Sequence, residues 1–319
     1  MGEIQESSFM KVMEVMEEVK QVIIGKEDCV RTAMAAILAG GHILIDDIPG
    51  VGKTTLALAF SKAMALENRR IQFTPDVLPS DILGFSLYQK QTGGFVYQPG
   101  AVMCNLFLGD EINRTSPKTQ SALLEVMEEG RVTVDGETRS VPEPFIVIAT
   151  ENPAGSVGTQ LLPESQLDRF MICMTIGYPS LEDEIAIAKG KSGGISVEDV
   201  PSVITGQELL LIRREVEGVY LHDRVYRYIC ELVQATRQNT WIDLGISPRG
   251  TIALVKMAKA SAYLNQRDYV VPEDVEDIFL DVCAHRILMN ARARVGRVTP
   301  EKVLKEILSQ CKKPAAAKK

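Results

Sequence analysis

Asp47-Ile48-Pro49-Gly50-Val51-Gly52-Lys53-Thr54 follows the apolar run Ile43-Leu44-Ile45 and precedes Thr55-Leu56-Ala57-Leu58-Ala59. The order is a short buried strand, a glycine loop and the start of a helix. A loop of this composition turns its backbone N–H groups toward phosphate oxygens, while the helix N-terminus behind it favours negative charge. Pro49, Gly50, Val51, Gly52, Lys53, Thr54 and Thr55 therefore form a candidate phosphate cradle. Lys53 is placed to reach the β and γ phosphates and the Thr54 hydroxyl to ligate Mg²⁺. One position departs from the general pattern: Asp47 stands where the first glycine belongs.

Such a loop needs an acidic partner on a neighbouring strand. Leu106-Phe107-Leu108-Gly109-Asp110-Glu111 is an apolar run ending in two carboxylates. Asp110 can hold Mg²⁺ through its water shell, and Glu111 can orient and deprotonate an attacking water. A third apolar run, Phe145 to Ala149, leads to Thr150-Glu151-Asn152-Pro153. Asn152 can hydrogen-bond both a γ-phosphate and the lytic water; a turn-forming Asn before proline is the plainer reading. All three polar signatures fall at the carboxyl ends of strands, where α/β sheets bind their ligands.

The alternation of these strands with helical patterns predicts an α/β domain with a mostly parallel sheet. Ser116-Pro117 starts a helix that Gly130 stops, and Asp135-Gly136 joins two short strands as a hairpin. From about Ser180 the pattern becomes helix after helix: Leu181–Lys189, a capping box at Thr205 and Glu208, Asp223–Thr240, Pro248–Leu264, Pro272–Met289 and Pro300–Cys311. Residues 1–179 then form the nucleotide-binding core, 180–311 a C-terminal all-helical lid, and 312–319 a basic, disordered tail.

The chain has 319 residues and a net charge of −7, with 45% hydrophobic and 24% charged residues. The acidic balance disfavours nucleic acid as the main partner, because phosphate neutralisation needs a basic surface. No apolar stretch approaches the roughly 20 residues of a membrane span, and no basic segment precedes an apolar core at the N-terminus. The expectation is a cytoplasmic protein. Six scattered cysteines without a CxxC pair, four of them in apolar contexts, read as reduced, structural thiols, and three unclustered histidines offer no zinc site.

Several runs together resemble one family. Asp110-Glu111-Ile112-Asn113-Arg114, Gln120-Ser121-Ala122-Leu123-Leu124-Glu125 with Met127-Glu128-Glu129, Ala149 to Pro153, and Leu162-Pro163-Glu164-Ser165-Gln166-Leu167-Asp168-Arg169-Phe170 are similar to the MoxR family of AAA+ ATPases. Gln72-Phe73-Thr74-Pro75-Asp76 and Leu78 to Gly84 match as well, a segment that in the family precedes an insertion in the second helix. The resemblance runs from about Val22 to Met289.

That resemblance implies a P-loop AAA+ core with a helical lid, and Mg²⁺-dependent ATP hydrolysis in a homo-oligomeric ring, a hexamer. It also implies chaperone-like remodelling or activation of a client, including clients with a von Willebrand factor A-type domain. It places Ile24 and Gly25 in the segment that cups adenine, Asn152 at sensor 1, Arg169 as an arginine finger acting on a neighbouring subunit, and Arg249 at sensor 2. By the residues alone, either arginine reads sooner as a surface ion pair than as a phosphate contact. Arg114 is a second interfacial arginine or an orienter of Glu111. The hairpin at Asp135-Gly136 faces a pore or packs locally. The alternatives are a nucleotide-dependent binding switch and a nucleic-acid motor or loader. Asp47 is a tolerated variant on this reading, since Gly50 and Gly52 are intact. Tyr97 to Asn105 departs from the family's Gly-Pro-aromatic wording, in a region outside the hydrolysis chemistry.

Overall fold

The computed structural model describes residues 6–91, 93–151, 162–189 and 196–314. Asn152 and the end of the basic tail (315–319) lie outside them. Helices α1 (Glu6–Val22) and α2 (Glu27–Leu38) precede β1 (Ile43–Asp46), α3 (Lys53–Ala63) and β2 (Asn68–Gln72). Next come α4 (Pro79–Leu83), the hairpin β3 (Gly84–Gln89) and β4 (Gly94–Pro99), β5 (Leu106–Asp110) and α5 (Pro117–Glu129). The hairpin β6 (Arg131–Val134) and β7 (Glu137–Ser140), β8 (Ile146–Glu151), α6 (Glu164–Leu167) and β9 (Ile172–Met174) complete the α/β part.

The five main strands form one parallel sheet in the order β2-β5-β8-β1-β9. Its three central strands are buried throughout or nearly so, which is why they read as unbroken apolar runs. Alternate residues feed opposite faces. Ile43, Ile45, Leu106, Leu108, Ile146 and Ile148 enter one apolar cluster. Leu44, Phe107, Val147 and Ala149 enter the other, with Phe73, Leu123, Leu124 and Phe170.

The first cluster continues without a break through α1 and α2 into the helical part. That part comprises α7 (Leu181–Ala188), α8 (Gly206–Glu217), α9 (Asp223–Gln238), α10 (Pro248–Leu264), α11 (Pro272–Cys283), α12 (Ala291–Val295) and α13 (Pro300–Gln310). Phe9 of α1 meets Tyr263 of α10 edge-on at 6.2 Å, and Ser8 and Lys11 bond Glu215 and Glu208 of α8. The expected helix Pro272–Met289 is shorter: α11 stops at Cys283, where Arg286 turns inward. The chain then forms β11 (Leu288–Met289), antiparallel to β10 (Ile242–Leu244). The helical lid thus carries a small strand pair.

Local signals account for many boundaries. Ser116 Oγ accepts the Thr119 N–H at the start of α5, and Gly130 closes it with φ 64°. Thr205 and Glu208 form the capping box of α8. The β6–β7 hairpin packs locally, with the Arg139 guanidinium 4.2 Å from the centre of the Tyr97 ring on β4.

Candidate active site

The loop after β1 turns through Gly50 and Gly52 at φ 87° and 95°, values that a side chain would strain, and hands the chain directly to Lys53 at the start of α3. A cavity of about 330 Å³ opens beside it, lined by Pro49, Gly50, Gly52 to Thr55, Arg70, Gln72, Asp110, Glu111 and Thr150. Most of the expected cradle is therefore in one place. Val51, Ile24 and Gly25 do not line this cavity. The Ile23 side chain does lie beside Gly52, so the Val22–Gly25 turn borders the loop.

Lys53 is buried, and its ammonium donates to the backbone carbonyls of Asp47 and of Glu151, the latter at 3.1 Å. Burial lowers its pKa from the ordinary lysine range; the charges of Asp47, Asp46, Asp110 and Glu111 oppose that shift.

β5 ends at Asp110, a buried residue whose carboxylate is held on several sides. Thr150 Oγ1 donates to Oδ1 at 3.3 Å; Thr54 Oγ1 and Arg70 Nε donate to Oδ2 at 3.4 and 2.7 Å. This donor set fits a hard divalent cation. Asp110 and Thr54 converge on one point, and the Arg70 guanidinium shows that Oδ2 accepts a positive charge there. Arg70 was not foreseen, because one arginine in the polar strand Asn68–Gln72 carries no motif. Parallel pairing of β2 with β5 brings it to Asp110.

Glu111 takes a left-handed backbone conformation, φ 59° and ψ 50°, uncommon for a residue with a side chain and frequent at functional sites. Its N–H bonds Thr150 Oγ1 at 2.9 Å, which fixes the turn at the strand end. Arg114 Nη1 lies 2.7 Å from Glu111 Oε2, an ion pair within the chain.

The other two arginines do not line the cavity. Arg169 Nη1 lies 2.6 Å from Glu128 Oε2 and bonds the Leu124 carbonyl, while Arg249 pairs with Glu128 Oε1. One carboxylate at the end of α5 thus gathers both. The framework beneath them is well built. Ser247 caps α10 through the Gly250 N–H and donates to Asp168 Oδ2 at 2.8 Å; buried Arg286 holds Asp168 Oδ1 at 2.9 Å and the carbonyls of Phe170 and Met171. Arg286 is a second residue that the sequence did not single out.

Glu151 and Asp46 stand opposite each other on β8 and β1. Burial, then the charge of Asp46, pushes the Glu151 carboxyl up to about 7, with Lys53 opposing. The folded protein therefore keeps a proton that the unfolded chain releases in the ordinary carboxylate range. This contribution to stability is complete below about pH 4 and is lost as pH rises through about 7. The thermal midpoint, followed by circular dichroism, should fall between about pH 5 and about pH 8, and Glu151→Gln should flatten that part of the profile. An unchanged slope in the variant would assign the dependence to other groups.

Among the described residues no cluster of His, Cys, Asp and Glu could hold a metal by itself, and no helix is long and apolar enough to cross a membrane. The six cysteines are free thiols.

A P-loop after β1, acids after β5, this strand order and a helical C-terminal part define an ATPase of the AAA+ class. Residues 42–172 match the model of the ATPase family associated with various cellular activities, and residues 234–307 match the AAA lid domain. Uncharacterized protein YeaC of Bacillus subtilis is 46% identical over 299 residues, covering 94% of this chain and 93% of its own. Chaperone MoxR1 of Mycobacterium tuberculosis is 35% identical over 300 residues, covering 91% and 79%. A crystal structure from Cytophaga hutchinsonii, described as a candidate ATPase, superposes with a TM-score of 0.89 at 36% identity, over 97% of this chain and 96% of that one. The chain belongs to the MoxR family of AAA+ ATPases.

Proposed function

We propose that the protein hydrolyses ATP with Mg²⁺ as a homo-oligomeric ring, a hexamer, and uses the cycle to remodel or activate a client protein. The observation that carries this reading is the position of Arg169 and Arg249. Both are held by Glu128, outside the phosphate cavity, whose lining cations among the described residues are Lys53 and Arg70. If Arg169 acts on a phosphate, the phosphate belongs to another copy, and Arg249 on the same carboxylate travels with it. The cavity of one subunit is then completed by the next.

Within one chain, the loop amides and Lys53 bind the phosphates, and Glu111 takes a proton from the attacking water. Thr54 and Asp110 would hold Mg²⁺, which neutralises phosphate charge when bound. Asn152 remains the sensor 1 assignment on the strength of the resemblance. The helical part, 180–311, is the element that moves against the 1–179 core. The name of the Mycobacterium relative supports chaperone-like work. A client with a von Willebrand factor A-type domain, and a cytoplasmic place of work, belong to the same proposal.

Specific activity measured across a dilution series tests the reading. An arginine supplied in trans is worth about 10³–10⁵ in rate, so activity per chain should collapse as the assembly dissociates. Activity that stays constant down to the monomer would reject it.

A further inference from the structure

Asp47 occupies the position where the general loop pattern has glycine, yet its backbone is not among those with positive φ, so the position does not demand glycine. The residue is 8% exposed and both carboxylate oxygens are engaged. Oδ1 accepts the Ile48 N–H at 2.7 Å, within the loop. Oδ2 accepts the N–H groups of Ile176 and Gly177, both at 2.6 Å. Those two amides lie in the segment that leaves β9 and enters α7, the connection between the sheet and the helical part. Bonds from amides to an ionised carboxylate are short and roughly twice as strong as neutral ones.

The same segment is gripped from its other side. Lys26 Nζ donates to the Tyr178 carbonyl at 2.7 Å, and Cys29 Sγ lies 3.4 Å from the Thr175 carbonyl. Gly25 packs so closely on Asp183, in the first turn of α7, that a Cβ there would lie 2.0 Å from Asp183 Oδ2. The phosphate loop on one side, and Gly25, Lys26 and Cys29 beyond the turn that borders it on the other, therefore hold one connecting segment between them.

From this we infer that Asp47 is a positioning residue that links the phosphate loop to the hinge of the helical part; the inference rests on the nucleotide-binding reading above. Its main chain and side chain serve the two ends. The Asp47 carbonyl receives Lys53, whose ammonium has a third N–H left for a phosphate, and the Asp47 carboxylate holds Ile176 and Gly177. A shift of the loop as Lys53 engages a phosphate is carried by one residue to the hinge. This supplies what a coupled change requires, an element whose arrangement both sites bias.

Hydrogen exchange of the unaltered protein, with and without a non-hydrolysable ATP analogue, tests the link. Exchange at residues 47–54 and at 176–177 should slow together, with the hinge amides changing about tenfold, within the usual range of coupling between sites. In Asp47→Gly, which restores the general loop pattern, residues 48–54 should still respond to the analogue, while 176–177 exchange fast with or without it. In the same variant kcat should fall about tenfold with KM changed less than about threefold. Asp47→Ala, which also removes both acceptor oxygens, gives the same readout should the glycine variant not fold. Loop protection without any hinge response in the unaltered protein, or a hinge response that survives in the variant, overturns the link alone. No loop protection in the unaltered protein overturns the nucleotide reading and the link with it.

Discussion

Glu111→Gln is expected to lower turnover by about 10²–10⁴, the usual contribution of a positioned general base, and to leave ATP affinity within about threefold of the unaltered protein. The two effects separate because Glu111 lies outside the phosphate loop. Its carboxylate is held by Arg114 at 2.7 Å, while Lys53, Thr54 and the loop glycines contact the phosphate cavity independently of it. Glutamine has the same shape and meets the same left-handed backbone at φ 59°, so the local fold is retained. What it loses is the capacity to accept a proton from water. Phosphate release and a fluorescent ATP titration on the same preparation would measure both terms. Turnover within about threefold of normal would remove Glu111 from the role of base. A variant that binds ATP without consuming it is also the form with which to capture a client, and it separates the switch from the motor. If the trapped form performs the whole biological task, repeated cycles are unnecessary.

The parts of this site that could be read in advance are those where one residue type at one position has a dominant chemical reason. Gly50 and Gly52 are needed for their φ values, Lys53 follows them at the helix start, and Asp110 and Glu111 end an unbroken apolar strand. The central strands were legible because burial on both faces forces continuous apolar residues. The edges were not. β2, Asn68-Arg69-Arg70-Ile71-Gln72, is polar because it lies at the rim of the sheet, and β9 is three residues long. Arg70 was lost with its strand: only parallel pairing with β5 brings it to Asp110. Arg286 and the grip of Asp47 on Ile176 and Gly177 were hidden for a related reason. Each depends on groups more than a hundred residues away, and a buried charge bonding backbone groups leaves no periodicity. The overextended helix Pro272–Met289 shows the reverse error. The apolar pattern continues past Cys283, but it serves a turn around Arg286 and then the strand β11.

Arg169→Ala should reduce turnover by about 10³ or more, the scale for an arginine that stabilises charge in phosphoryl transfer from a neighbouring subunit. The same loss would follow from an arginine acting within its own chain, so the decisive measurement is a mixture. Arg169→Ala keeps a complete phosphate loop and lacks the arginine; Lys53→Ala lacks the loop lysine and keeps the arginine. Each is expected to be nearly inactive alone. Mixed and allowed to exchange subunits, they form junctions in which an intact loop faces an intact Arg169, and activity should rise above the sum of the separate preparations. Action within one chain predicts only the sum. Glu128 extends the argument to Arg249. Because one carboxylate pairs with both guanidinium groups, Arg249→Ala should show the same complementation with Lys53→Ala. Failure for Arg249 alone would return it to a role inside its own subunit, which would require α10 to carry it away from Glu128 to the cavity beside Lys53. The Ser247 and Arg286 contacts to Asp168 oppose that movement, since they tie the start of α10 and the turn after α11 to the chain segment that carries Arg169. In this arrangement Glu128 and these contacts hold the two arginines side by side, which favours a shared role at the junction with the next subunit.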